Sequence, residues 1–72
     1  MICSVSGLSL SAEETRGPWR PSLDRIDNAV GYVPGNVRLT CWMFNRAKSH
    51  WTDEQMLMLA KGLVLHSGVP GA

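Results

Sequence analysis

The sequence predicts a small α+β fold: short strands joined by a turn-rich loop, then two helices, with a hairpin or loop at the N-terminus. Three observations carry this. Apolar and polar residues alternate on both sides of a Gly- and Pro-punctuated stretch, in Pro21 to Asp27 and again in Val37 to Thr40. Val33-Pro34-Gly35-Asn36 places Pro and Gly at the two central positions of a type II turn between them. From Cys41 onward the apolar spacing changes from two residues to the three and four of a helix.

In chain order, Met1 to Leu10 alternates Ile2, Val5 and Leu8 imperfectly with small polar residues around Ser6-Gly7, which reads as a weak hairpin. Ser11 to Pro18 is a loop in which Glu13-Glu14 could supply one helical turn. Trp19, close to two prolines, is read as a ring closing over a small core rather than as a base-stacking surface. Trp42, Met43, Phe44 and Ala47 predict a mostly buried helix through about Ser49, with Asn45 and Lys48 sharing a polar face. Thr52-Asp53-Glu54-Gln55 is a capping box that opens a second helix, whose apolar stripe is Met56, Leu59, Ala60, Leu63 and Val64. The resulting organisation is one domain: residues 1–20 as hairpin or loop, 21–49 as the strand-loop-strand-helix unit, 52–66 as an amphipathic C-terminal helix, and 67–72 as a tail, with fraying expected from Gly68 to Ala72.

A chain of 72 residues hides only about 60% of the surface its unfolded form exposes, so its margin of stability is thin. Two cysteines without a C-x-x-C pairing argue against a disulfide scaffold and against structural zinc, and point to a cytoplasmic protein. Cys41 itself reads as a small buried hydrophobe. No leader or membrane-spanning stretch is expected. The net charge of +1 is uninformative, but its distribution is not. Between Arg16 and His50 six basic residues (Arg16, Arg20, Arg25, Arg38, Arg46, Lys48) face only Asp24 and Asp27.

An acid on the first strand and an amide on the helix fit one hard divalent cation. The Asp24 carboxylate and the Asn45 amide oxygen would hold it by one edge, leaving positions for phosphate and water. Arg20, Arg38, Arg46 and Lys48 are the candidates for neutralising a nucleic-acid backbone. The linked run PSLDRID, GYVPGNVRLTCW and NRAKS resembles the HNH (His-Me finger, ββα-metal) nucleases, in a DRID variant found in phage and bacterial proteins. The resemblance covers roughly Cys3 to Ser49.

It implies a ββα-metal finger with Asp24 and Asn45 as ligands of one Mg²⁺ or Mn²⁺ ion. It also implies that Asn36 braces the loop through backbone hydrogen bonds, and that Lys48 or Arg46 lies near DNA in the cytoplasm of a bacterial or phage-infected cell. The chain departs from the pattern at Arg25, which stands where the water-activating histidine belongs. Arginine stays protonated and cannot take a proton. Arg25 is then a phosphate clamp and Asp27 the nearest substitute base, although an ion pair with Arg25 or a turn cap at Asn28 is its plainer role. His50, just past the helix, reads as a surface histidine. Two functions stay open: a metal-dependent endonuclease, or a catalytically degenerate module that binds nucleic acid or a protein partner. Self-association through the C-terminal helix is a third expectation.

Overall fold

The computed structural model describes residues 1–13 and 15–68. Its elements are β1 (Pro21–Arg25), β2 (Val37–Cys41), α1 (Trp42–Lys48) and α2 (Asp53–His66). The α+β class and the ββα order are those expected. β1 and β2 form an antiparallel pair centred on Leu23 opposite Leu39, with Asp24 facing Arg38.

β1 stops at Arg25, two residues before the expected end, and Asn36 and Asp27 explain why. The Asn36 side-chain oxygen accepts the Asp27 N–H at 2.9 Å, and the Asp27 carboxylate accepts the Ala29 N–H at 2.9 Å. Side-chain acceptors thus take donors that a strand would pass to its neighbour, and the backbone turns away. The return turn closes through Asn36 N–H to the Val33 carbonyl at 3.0 Å, with Gly35 at φ +86°, the left-handed position a type II turn requires.

The N-terminal hairpin is reduced to a closed loop with one bridge, Ile2 to Ser9. Cys3 N–H donates to the Leu8 carbonyl at 2.8 Å and Gly7 N–H to the Cys3 carbonyl at 2.9 Å. The loop docks on β2, where the Ser4 N–H and hydroxyl both donate to the Leu39 carbonyl, at 2.9 and 2.8 Å. The core beneath it is Cys3, Leu10 and Cys41, with Leu39 and Phe44 packed against them. Trp19, expected to close over the core, is 38% exposed and is not among the residues packed against Cys3, Leu10 and Cys41.

α1 has no side-chain N-cap; instead the loop before β1 meets its first donors, Arg20 carbonyl accepting Trp42 N–H at 2.9 Å and Pro18 carbonyl accepting Met43 N–H at 3.1 Å. The expected mostly buried helix is corrected. Trp42, Met43 and Ala47 are exposed, Phe44 is half-buried, and the one fully buried residue is Lys48. A seven-residue helix lying on a two-stranded sheet has room to bury a single stripe, and that stripe runs Cys41, Phe44, Lys48 at spacings of three and four.

α2 begins as predicted. Gln55 N–H donates to Thr52 Oγ1 at 3.1 Å and Thr52 N–H to Gln55 Oε1 at 2.9 Å. Its apolar stripe is not covered: no α2 residue is buried, and Leu59, Leu63 and Val64 are exposed along with Leu57, Met58 and Leu65 outside the stripe. Of the stripe, only Met56 near the N-terminal end reaches partial burial. No helix among the described residues is long and apolar enough to cross a membrane. The fraying expected from Gly68 lies, beyond Gly68 itself, outside the described residues, as does the Glu14 half of the expected helical turn.

Candidate functional site

The strand-loop-strand-helix unit brings Asp24, Arg38 and Lys48 together, and α2 adds Asp53. Asp24 is 2% exposed and Lys48 0%. Arg38 Nε donates to Asp24 Oδ2 at 2.8 Å, and its Nη2 donates to Asp53 Oδ1 at 2.7 Å. Lys48 Nζ lies 3.3 and 3.5 Å from the two Asp24 oxygens and 3.4 Å from Asp53 Oδ1. It also donates to the Arg25 carbonyl at 2.8 Å and the Ile26 carbonyl at 3.2 Å. Two cations and two carboxylates therefore close a neutral ring in which Lys48 also satisfies the carbonyls exposed where β1 ends. The Arg38 hydrogen bond holds the Asp53 carboxyl below its ordinary range, and Asp53 in return raises the Arg38 guanidinium.

This geometry redistributes the expected roles. Asp24 has both oxygens engaged by side-chain cations, so as it stands its carboxylate does not fit a divalent ion. No group of three or more His, Cys, Asp or Glu that could hold a metal occurs among the described residues. Asn45 donates its amide nitrogen to Ser22 Oγ at 2.7 Å and to the Leu23 carbonyl at 2.9 Å, tying α1 to β1. A cation would need the other atom of that amide. Lys48, expected near a nucleic-acid backbone, is instead enclosed, and Arg38 faces the same ring.

Asn36 spans the loop: besides accepting from Asp27, its amide nitrogen donates to the carbonyls of Asp27, Val30 and Gly31 at 3.1, 3.1 and 2.9 Å. Arg25 turns toward that loop, donating to the Asn28 carbonyl at 3.3 Å and lying 5.2 Å from the Tyr32 ring centre. Asp27 caps the turn at Ala29 and shares a cleft of about 510 Å³ with His50, Asp53 and Glu54. His50 is exposed and its ring lies 4.4 Å from that of Trp51.

A second cluster faces outward. The guanidinium groups of Arg20 and Arg46 both lie over the Trp42 ring, at 4.2 and 5.9 Å from its centre. Trp42, Asn45, Arg46 and Ser49 line a cavity of about 220 Å³ there. The four basic candidates thus divide into a pair in the ring, Arg38 and Lys48, and a pair over Trp42, of which Arg46 is exposed and Arg20 is half-buried with a hydrogen bond to the Thr15 carbonyl at 2.9 Å.

No family model matches this chain. Comparisons with curated proteins and with solved structures find no match either.

Sequence reasoning missed Asp53, read only as an acid favoured in a helix's first turn, and Trp42, read as core. The signal for Trp42 was present, since Arg46 sits one turn after it on the same helix face.

Proposed function

We propose that this chain is a nuclease-like module of the HNH type that binds the phosphodiester backbone of DNA, with its acidic ligand position turned to a structural use. The observation that carries this reading is the division of charge: Asp24 is closed off by Arg38 and Lys48, whereas exposed Arg46 and half-buried Arg20, which also donates to the Thr15 carbonyl at 2.9 Å, lie over an exposed Trp42. Guanidinium groups held over an aromatic ring lose little freedom when they meet phosphate oxygens, and their forked donors suit that geometry. Ser49 and Asn45 add neutral polar groups beside them. A bacterial or phage-infected cytoplasm is the setting this reading carries with it.

The test is fluorescence anisotropy of a labelled duplex across a salt series. Binding with a negative log–log salt slope is expected, and Arg20→Ala with Arg46→Ala together should reduce that slope by about two, one per phosphate contact. An unchanged slope in the double variant, or no binding at low salt, removes the reading.

Metal-dependent cleavage is the second reading, favoured by Asp27 and His50 sharing a cleft beside the loop. It requires one Mg²⁺ or Mn²⁺ ion to displace Arg38 and Lys48 from Asp24, and His50 or Asp27 to take the proton that Arg25 cannot. EDTA-sensitive nicking of supercoiled plasmid, lost in Asp24→Ala and Asn45→Ala, would establish it; intact plasmid with Mn²⁺ would discard it. Self-association or a protein partner through the exposed apolar residues of α2 is read out by sedimentation over a range of concentrations.

A further inference from the structure

The Cys3 and Cys41 thiols belong to neither functional reading, yet they are the centre of the core. Both are free, at 1% and 3% exposure, and 38 residues apart in sequence. The Cys41 N–H points at the Cys3 sulfur at 3.4 Å. The segments that carry them are held alongside each other by the paired bonds from Ser4 to the Leu39 carbonyl.

We propose that Cys3 and Cys41 form a reversible intramolecular disulfide that clasps the N-terminal loop to the junction of β2 and α1. The two thiols differ in the way such a reaction needs. Burial pushes the Cys3 thiol up, but hydrogen bonds from the Ser6 side chain and from the backbone of Val5, Cys41 and Ser6 outweigh it and bring the thiol down to about 7. Burial pushes Cys41 up against an opposing backbone hydrogen bond from Phe44, and the neighbouring Cys3 sulfur adds to the rise. Cys3 is therefore the attacking group and Cys41 the resolving one.

The reaction is a thiol–disulfide exchange with a low-molecular-weight disulfide, glutathione disulfide serving as the probe. Cys3 thiolate attacks one of its sulfurs, forming a mixed disulfide and releasing one glutathione thiolate. Cys41 then loses its proton to solvent and attacks the Cys3 sulfur, releasing the second. Two protein thiols are oxidised and one glutathione disulfide is reduced to two glutathione thiols. Access comes from opening of the N-terminal loop, which is held by few backbone bonds and contains a turn at Gly7.

The experiment equilibrates the full chain in glutathione redox buffers, native and in guanidinium, and quantifies the oxidised form by mass spectrometry and non-reducing peptide mapping. The expected product has lost two hydrogens, links the Cys3 and Cys41 peptides, and reverts with a phosphine reductant. Its effective concentration in the native chain should exceed that of the unfolded chain by about 100-fold or more, and its Tm should rise by about 10 °C or more. Cys3→Ser, and separately Cys41→Ser, should retain only a single glutathione adduct. Double glutathionylation, disulfide-linked dimers, or an effective concentration no higher than in guanidinium would each overturn the clasp. Because the wild-type chain supplies the native-to-unfolded ratio, a variant that fails to fold leaves the decision intact.

Discussion

Replacing Lys48 by Met tests the buried ring directly. Methionine keeps the length and apolar stem of lysine but removes an ammonium that contacts Asp24, Asp53 and the carbonyls of Arg25 and Ile26. Breaking a buried ion pair by deleting one partner costs about 3–5 kcal/mol, and each carbonyl left bare adds about 1–3 kcal/mol unless water reaches it. Arg38 still holds Asp24 at 2.8 Å, so the lower end of the total, about 5 kcal/mol, is the appropriate figure. A domain of this length has roughly 4–11 kcal/mol to lose.

Urea titration followed by tryptophan fluorescence should move the midpoint down by about 5 M at a slope near 1 kcal/mol/M, or leave the variant unfolded in buffer. Asp24→Asn paired with Lys48→Met should cost less than the two changes added separately, because the second removes what the first had already orphaned. A Lys48→Met protein within about 0.5 kcal/mol of the parent would refute the burial. If that variant also lost DNA affinity, Lys48 would belong at the surface, in contact with phosphate.

Three further outcomes are expected. Asp53 is held below the ordinary aspartate value of 3.8 by Arg38, so its stabilising contribution is complete above that value and disappears as pH falls through the lower folded value. The Tm gap between the parent and Asp53→Asn should therefore be open at neutral pH and narrow as the pH falls below 3.8; a constant gap would count against the pairing. Asn36→Ala removes the acceptor for Asp27 and the donor to three carbonyls, and should cost about 2–3 kcal/mol and speed hydrogen exchange at the Asp27 and Asn36 amides. Thr52→Ala deletes one half of the capping box and should cost about 1 kcal/mol, with the loss of helical signal confined to α2.

The features legible in the sequence were those written in local chemistry. The turn at Gly35, the Thr52 cap and the change from strand to helix near Cys41 each depend on a few adjacent residues, so their patterns survive without tertiary information. The environment of Lys48 does not. Periodicity treats lysine as a surface residue, and only the stripe Cys41, Phe44, Lys48 hinted that a charge occupied the third core position. Its partners Asp24, Arg38 and Asp53 come from three other elements, so no spacing along the chain reveals the ring. Asp24 and Asn45, the residues inferred for a metal, lie on β1 and α1, whereas the competition from Arg38 and Lys48 for Asp24 was invisible. The stripe on α2 misled for the opposite reason. Its spacing was genuine, but a sheet of two five-residue strands offers a 14-residue helix little to cover.

The ionic ring has a mechanical side as well. Asp53 is the first residue of a helix of 14 residues, about 21 Å long at 1.5 Å per residue. The ring that shields Asp24 is also the pivot at the near end of a rigid rod. A rotation of 10° about that pivot would sweep the far end through about 4 Å. Phosphate drawn to Arg38 would compete with the contact to Asp53, so a small exchange of partners at the ring would be amplified at His66. A spin label there would be a distant gauge of whether the Asp24 carboxylate is closed or open.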